Sequence, residues 1–140
     1  MRVEMHILVF DINGRLFAFD LNYVREVVKI KEYTRVPNAP EHILGVFNLR
    51  GQIVPLIRLS NILNIPDTEY SEAVILVYDD ELVGIAVSSV KGVLRISKTD
   101  IRQPPTKSSE FISGIVKWNE RLISILDVGK ILNKISGNEI

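Results

Sequence analysis

The chain consists of two similar halves, and this repetition constrains its fold more than any other feature of the sequence. ILGVFNLRGQIVPLIRLSNIL (Ile43–Leu63) aligns without a gap to ISGIVKWNERLISILDVGKIL (Ile112–Leu132). Upstream, VREVVKI (Val24–Ile30) matches VKGVLRI (Val90–Ile96). Alternating hairpins often align by chance, but an ungapped match through strand, turn, strand and helix start favours duplication. A repeat of about 68 residues is too long for a solenoid unit and suits one small barrel per copy.

Short β-hairpins dominate each copy. ILVFD (Ile7–Asp11) matches ILVYD (Ile75–Asp79), with a turn two residues shorter expected in the second copy. Asn13-Gly14 is a strong hairpin signal, and Asp79-Asp80 is placed in the same way. GVFNLRGQIVPLIRL and GIVKWNERLISILDV predict two further hairpins. Strands at such close intervals predict two similar five-stranded barrels that pack together as one body.

Helical segments are few and short. We expect a turn or two of helix around Pro40–Leu44, a short helix near Leu59–Leu63 and a terminal helix over Val128–Ile135. The longest apolar run, AVILVY, has the length of a strand and is far below the roughly 20 residues that a membrane-spanning helix needs. The N-terminal stretch is too charged for a signal peptide. We therefore expect a soluble, cytoplasmic protein with no direct membrane insertion.

Composition and residue spacing argue against several functional classes. Lys and Arg number 17, as do Asp and Glu, so no global field attracts nucleic acid or an anionic membrane. Cysteine is absent, which excludes disulfides, thiolate nucleophiles and sulfur-ligated metals. His6 and His42 are far apart and lack carboxylates at metal-ligand spacing. No serine has a histidine placed to activate it, and no glycine-rich phosphate loop is present. We expect no enzyme activity, no cofactor and no metal.

The two copies differ at positions that a barrel does not need in order to fold. Arg50 of the first copy corresponds to Asn119 of the second, and Glu26 corresponds to Gly92. We therefore predict a partly buried Glu26–Arg50 ion pair near the junction of the barrels. Buried ion pairs are weak evidence for stability, so a specificity role is the better interpretation. The alternative is an ordinary surface arginine and a strand-edge glutamate.

The turn after Asn48 contains two further candidates. Gly51 precedes a strand and is expected to adopt positive φ, which glycine does without steric cost. Leu49 and its counterpart Trp118 predict an apolar tip on both hairpins, suited either to docking a partner or to packing against the sister barrel.

The junction of two similar barrels predicts a groove that a partner helix could occupy. Val24 and its counterpart Val90, together with Val27 and Val93, lie on strands that could line this groove. The alternative for each of the four valines is an ordinary place in the core.

Four blocks in the first copy, in this order, carry a family signature. They are VREV (Val24–Val27), TRVPNAP (Thr34–Pro40), GVFNLRG (Gly45–Gly51) and IVPL (Ile53–Leu56). The order closely resembles the signature of the CheW-type chemotaxis coupling proteins, in which V-x-E-[IV] is followed by T-x-[VI]-P-x-[AT]-P, G-V-x-N-L-R-G and I-[VI]-P-[VIL]. The likeness extends through the second copy and covers essentially the whole chain.

The resemblance implies a mainly β fold of two intertwined five-stranded SH3-like barrels from an internal duplication, with short helices that include a C-terminal one. Residues 1–140 would form a single CheW-like domain. We expect barrel one at approximately 12–70, and barrel two at approximately 71–140 plus the N-terminal strand 5–11.

In function, the resemblance implies a non-enzymatic adaptor of bacterial or archaeal chemotaxis signalling. Such adaptors couple the cytoplasmic tips of methyl-accepting chemoreceptors to the regulatory domain of the histidine kinase CheA. They are cytoplasmic and are recruited to receptor arrays at the inner face of the membrane. The helical receptor tip docks in the groove between the barrels, and the kinase domain pairs with the barrel ends.

Carried over by position, the resemblance assigns residues to two binding surfaces. The receptor-binding positions are Val24, Glu26, Asn48, Arg50, Gly51 and Val93. The kinase-binding positions are Leu21, Tyr33 and Ile53.

Three positions depart from the family pattern. After I-V-P the family continues x-x-D-L-R, whereas this chain has Arg58 for the aspartate and Ser60 for the arginine. Further on, Ser88 stands in the place of an aspartate. These departures leave open a CheW-like paralogue that serves another chemosensory pathway. A small-barrel nucleic-acid-binding protein is the alternative from a different class, although the zero net charge weighs against it.

Overall fold

The computed structural model describes residues 3–104 and 109–137 of the chain, which form a mainly β structure. The strands are β1 (Glu4–Ile12), β2 (Arg15–Asp20), β3 (Val24–Lys29), β4 (Ile43–Leu49), β5 (Gln52–Ile57), β6 (Glu72–Tyr78), β7 (Glu81–Val87), β8 (Ser89–Ser97), β9 (Ile112–Trp118) and β10 (Arg121–Leu126). The α-helices are α1 (Ser60–Leu63) and α2 (Val128–Gly137), and 3-10 turns occupy Leu21–Tyr23 and Lys98–Asp100.

The strands form two five-stranded sheets, and each sheet combines strands from both halves of the chain. Sheet A has the order β8-β1-β2-β10-β9, and sheet B has the order β3-β6-β7-β5-β4. Strands β1 to β5 of the first half correspond in order to β6 to β10 of the second half. Exchanging each strand for its counterpart converts the order of sheet A into that of sheet B. The predicted duplication and the intertwined pair of small barrels are therefore confirmed.

The expected division was approximately 12–70 for barrel one and approximately 71–140 plus the N-terminal strand 5–11 for barrel two. Strand β1 does pair with second-half strands, but the pairing of β2, β6 and β7 departs from this division. Strand β2 lies in sheet A between β1 and β10, whereas β6 and β7 lie in sheet B beside β3 and β5. The first hairpin of each half has thus been exchanged between the barrels. The physical reason is local, because a two-residue turn holds β2 against β1 and the two strands must go to the same sheet.

All four hairpins close with two-residue turns in which both central residues have positive φ. These residues are Asn13 and Gly14, Arg50 and Gly51, Asp79 and Asp80, and Asn119 and Glu120. Positive φ at both positions is the signature of the type I′ turn, whose twist matches that of the flanking strands.

The equal turns also correct the alignment of the first strands of the two halves. Ile12 pairs with Arg15 beside one turn, and Tyr78 pairs with Glu81 beside the other. Ile12 and Tyr78 are therefore equivalent, and the ILVFD–ILVYD match is two residues out of structural register. The offset expected from a shorter turn was wrong, because the two turns have the same length.

Two of the three predicted helices are confirmed and one is wrong. The segment Pro40–Leu44 is a turn that leads into β4, where Ile43 pairs with Ile57 of β5. Helix α1 ends after one turn because Asn64 adopts the left-handed conformation, with φ of 56°. The two helices also differ at their starts. The carboxylate of Asp127 accepts a hydrogen bond from the Lys130 N–H at 2.9 Å and caps α2, whereas no side chain caps the four-residue α1.

The central hairpins of both sheets are buried on both faces, and this creates three apolar clusters. We call the barrel formed by sheet A barrel A and the one formed by sheet B barrel B. Along β1, Ile7 and Val9 point into the interior of barrel A, whereas Leu8, Phe10 and Ile12 point toward sheet B. Strand β6 does the same, so side chains from both sheets meet in one shared cluster, which α2 covers. Period-two alternation normally separates core from solvent, but here it separates two cores.

We expect Phe10→Ala to destabilise both barrels together by about 3–5 kcal/mol, because Phe10 is fully buried in the shared cluster. Trp118 fluorescence reports on sheet A, and circular dichroism reports on both sheets. Within each protein, the two probes should give the same denaturation midpoint, and both midpoints should be lower in the variant than in the wild type. Separate midpoints would contradict a cooperative shared core.

Candidate functional site

An ion pair joins the turn between β4 and β5 to strand β3. Arg50 donates two hydrogen bonds to the Glu26 carboxylate, from Nη1 to Oε1 at 3.1 Å and from Nη2 to Oε2. Paired bonds of this kind are the strongest and most directional contact between a guanidinium and a carboxylate. The predicted pair is thus confirmed in its contacts. Its expected partial burial holds only for Glu26, whose side chain is 26% exposed, against 67% for Arg50.

The pair spans the gap between the two edge strands of sheet B. Glu26 lies opposite Ile75 of β6, and Arg50 directly follows the last residue of β4. Next to the pair, a cleft of about 280 Å³ lies between β3 and β4. Its lining residues are Val28, Lys29, Ile30, Lys31, Glu32, Phe47, Asn48, Leu49, Leu56 and Ala73. Glu26 and Arg50 are not part of this lining, but Leu49, which directly precedes Arg50, and Val28, two residues beyond Glu26 on β3, are.

The pair lowers the pKa of the Glu26 carboxyl below its ordinary value, chiefly because Arg50 hydrogen-bonds the carboxylate. Desolvation opposes this shift, and the positive charges of Arg50 and Arg25 add to it. The same hydrogen bond raises the pKa of Arg50. Both groups are consequently charged at neutral pH, and the contact is lost only in acid, as the pH falls through the lowered pKa of Glu26. An exposed pair adds little to stability, so its effect lies in the shape and charge of the surface.

The equivalent place in sheet A has the same backbone and different side chains. Gly92 lies opposite Val9 just as Glu26 lies opposite Ile75, with a bulge beside each. Asn119 begins the turn between β9 and β10, where Arg50 stands in sheet B. Within the described part of the chain, the duplicated scaffold therefore forms this pair in one barrel and not in the other.

Asn48 and Gly51 lie in the turn that carries Arg50. The side-chain oxygen of Asn48 accepts a hydrogen bond from the Gly51 N–H at 2.7 Å. Gly51 has φ of 88°, and a Cβ added there would meet no atom within 4 Å, so glycine is favoured by the backbone conformation and not by a lack of space. The expected positive φ at Gly51 is confirmed.

The expected pair of apolar hairpin tips is wrong for one hairpin. Leu49 is 9% exposed and packs into the interior of barrel B, whereas Trp118 is 37% exposed. The side chain of Leu49 is therefore part of a core, and only the β9–β10 hairpin carries an apolar tip.

The four valines expected in a groove fall into two groups. Val24, Val27 and Val90 are half-buried against the shared cluster, so for these three the core alternative describes the packing. Val93 on β8 is 53% exposed. Val24 precedes Glu26 by two residues on β3, whereas Val93 belongs to the other sheet. The receptor-binding role of Val24 and Val93 stays a prediction.

The three positions expected to meet the kinase lie in different settings. Ile53 on β5 is 64% exposed, which is the highest value among the large apolar side chains of the described residues. Tyr33 is half-buried against the interior cluster of barrel B, and Leu21 is half-buried against the shared cluster. Of the three, Ile53 is the residue that a partner could reach without rearrangement.

A polar cluster explains how the chain accommodates Arg58 and Ser60. Arg58 donates from Nη1 to the Asp67 carboxylate at 3.1 Å and from Nε to the Glu41 carbonyl at 2.6 Å. Ser60 and Tyr70 donate to the other oxygen of Asp67. Sequence reasoning noted both departures but missed Asp67, which supplies a carboxylate that the family pattern has at position 58.

Ser88 replaces another family carboxylate with a hydroxyl. Its Oγ accepts a hydrogen bond from the Asn13 N–H at 3.1 Å, and its own N–H donates to the Asp11 carbonyl at 2.9 Å. Ser88 thus holds the connection from β7 to β8 against the β1–β2 hairpin. Its neutral hydroxyl accepts a hydrogen bond, as a charged carboxylate at this position could.

We expect the polar cluster around Asp67 to weaken in strong base. Burial, followed by the hydrogen bond to Asp67, raises the pKa of Tyr70 to about 12 from 10.0. A raised folded-state pKa adds stability that is complete below about pH 10 and is lost as the pH rises through about 12. Titration of the Tyr70 ring by NMR should show this pKa, and Asp67→Asn should lower it. An unchanged pKa in that variant would show that burial alone sets it.

In residues 3–104 and 109–137, no group of three or more His, Asp or Glu side chains could hold a metal ion. Among those residues, no helix is both long and apolar enough to cross a bilayer.

Comparison with known proteins agrees with this architecture. The CheW-like domain family matches residues 6–136. The chemotaxis protein CheW of Thermotoga maritima is 36% identical, over 97% of this chain and 93% of that protein. The CheW of Bacillus subtilis is 34% identical, over 92% and 87%. In structure, the scaffolding protein TtCheW of Thermoanaerobacter tengcongensis superimposes with a TM-score of 0.81 at 32% identity, covering 90% of both chains.

The intertwined barrels define a scaffold class of protein, and the sequence match narrows the class. The chain belongs to the CheW-like family of chemotaxis scaffold and adaptor proteins.

Proposed function

We propose that this protein couples the cytoplasmic tips of chemoreceptors to the regulatory domain of the histidine kinase CheA. It would work without chemistry of its own, by holding the two partners at separate surfaces. The proposal places the protein in the cytoplasm, in receptor arrays at the inner face of the membrane. Membership of the CheW-like family supports this role.

The observation that carries the receptor half of the proposal is the Glu26–Arg50 pair. The two barrels share their strand order and hairpin turns, and among the described residues the pair is present in one of them only, so the fold does not need it. The pair is exposed, charged at neutral pH and rigidly paired through two hydrogen bonds. A helical receptor tip that carries charged and apolar residues would find a fixed electrostatic feature there, beside the cleft between β3 and β4.

We expect Arg50→Ala and Glu26→Ala each to weaken binding of a soluble receptor tip by about tenfold, or about 1.4 kcal/mol. Each change removes one half of a unit, so the double variant should lose less than the sum of the two. Isothermal titration calorimetry would measure all three, with circular dichroism as the check on folding.

Arg95→Ala is the matched control. It breaks another exposed ion pair, in which Arg95 Nε lies 3.2 Å from Glu4 Oε2 in sheet A. Its receptor affinity should stay within about twofold of wild type. If Arg50→Ala behaves like this control, the Glu26–Arg50 pair has no part in receptor binding.

The kinase half of the proposal depends on Ile53. An apolar side chain that is 64% exposed near the start of β5 costs solubility unless a partner covers it. Ile53, Pro55 and Val83 line one face of sheet B together with residues of α2. The end of a partner barrel could bury this face, with Ile53 as the anchor.

We expect Ile53→Ser to weaken binding of the CheA regulatory domain by at least about tenfold and to leave receptor affinity unchanged. Leu122→Ser is the control, since Leu122 is the repeat counterpart of Ile53 in sheet A and is equally exposed at 63%. Surface plasmon resonance against both partners would separate the effects. Equal losses in the two variants would show that exposure, and not the position in sheet B, decides kinase binding.

A further inference from the structure

We propose that Asn48 is a positioning residue that acts through Arg50. Its side-chain oxygen, 2.7 Å from the Gly51 nitrogen, holds the β4–β5 turn in the one conformation that directs Arg50 at Glu26. Asn48 then contributes to coupling without touching the receptor. This inference deepens the proposed receptor site and rests on it.

The turn needs such help because of the residue at its first position. Type I′ turns favour Asn, Asp or Gly there, since these residues tolerate the left-handed region. Arg50 has φ of 49°, in that region, and gains no local hydrogen bond from its long side chain. The type I′ turn thus disfavours Arg50 at this position, and contacts with neighbouring residues must stabilise its left-handed conformation.

Those contacts come from both sides of Arg50. Gly51 supplies the second left-handed position at no cost, and Asn48 satisfies the Gly51 N–H. Across the hairpin, Leu49 pairs with Gln52 and anchors the turn to the interior of barrel B. The side chain of Arg50 itself is 67% exposed, so the turn and the Glu26 carboxylate are what orient it.

The same arrangement of acceptor and N–H is found in the β1–β2 turn, a hairpin of the other sheet. Asp11 accepts a hydrogen bond from the Gly14 N–H at 2.8 Å, with the same spacing of three residues. In the second half of the chain the equivalent positions hold Val77 and Lys117, neither of which has an acceptor in its side chain. The β1–β2 hairpin therefore provides a control in which a hydrogen bond of the same spacing can be removed in the other sheet.

The first test measures the geometry directly and does not depend on any partner. Asn48→Ala should release Arg50 from Glu26 and raise the NMR-measured pKa of Glu26 toward its ordinary value, as Arg50→Ala does. Arg25, the other charge that acts on Glu26, is unchanged in both variants. Asp11→Ala should leave the pKa of Glu26 where it is. A pKa of Glu26 that is unmoved in Asn48→Ala overturns the inference.

The second test measures receptor affinity by calorimetry, with folding checked by circular dichroism. Asn48→Ala should weaken binding of the soluble receptor tip by about fivefold and Asp11→Ala by less than about twofold. In the Arg50→Ala background, Asn48→Ala should have no further effect. A further loss in that background would mean that Asn48 contacts the receptor itself, and the inference would be wrong.

Rescue by a conservative substitution completes the design. Asn48→Asp keeps an acceptor for the Gly51 N–H, as Asp11 does for Gly14. This variant should fold with the turn intact and bind the receptor tip more tightly than Asn48→Ala, and equal weakness in both variants overturns the inference. If the pKa of Glu26 responds as expected while Arg50→Ala binds normally, the turn mechanism is right as geometry and the receptor role of the pair is wrong, which overturns the functional part.

Discussion

The shared apolar cluster between the two sheets is the interaction on which the rest of the structure depends. Strands β1 and β6 direct one set of side chains into their own barrel and the other set into this cluster. Because Phe10, Phe17 and Phe19 of sheet A are fully buried there, neither barrel has a complete core without the other. Exchange of the β1–β2 and β6–β7 hairpins between the halves adds covalent continuity to this contact. Because the two barrels share one core, they form a single packed body, which suits the proposed role of holding two partners at separate surfaces.

Duplication also explains how a small β protein can acquire a specific surface without losing stability. Each backbone position exists twice, so one copy can keep the residue that suits the fold while the other changes. Glu26 and Arg50 stand where Gly92 and Asn119 stand in the other barrel, on equivalent strands with equivalent bulges. The pair is mostly exposed, and stability does not require it. Its geometry depends on Gly51 and Asn48, residues that carry no charge and whose contribution is the shape of one turn.

The residues that depart from the family pattern are accommodated by local hydrogen bonds. Arg58 stands where relatives have an aspartate, yet Asp67 brings a carboxylate to the same cluster from nine residues away. Ser88 retains the acceptor that an aspartate would supply and bonds the neighbouring hairpin. Neither change disturbs the sheets around it. Arg58 and Ser88 are thus both held by hydrogen bonds to nearby elements of the fold.

Much of this fold was determined by the sequence alone, because local signals specify local structure. The repeat, the hairpins at Asn13-Gly14 and Asp79-Asp80 and the terminal helix all follow from alternation and turn chemistry over a few residues. Contrast between the copies predicted the Glu26–Arg50 contact as well. The exchange of hairpins, the burial of Leu49, the recruitment of Asp67 and the exposure of Arg50 were decided only by the tertiary structure. Each of these depends on which sheet a strand joins or which distant side chain comes within reach, and period-two alternation is identical for a strand that faces solvent and one that faces a second core.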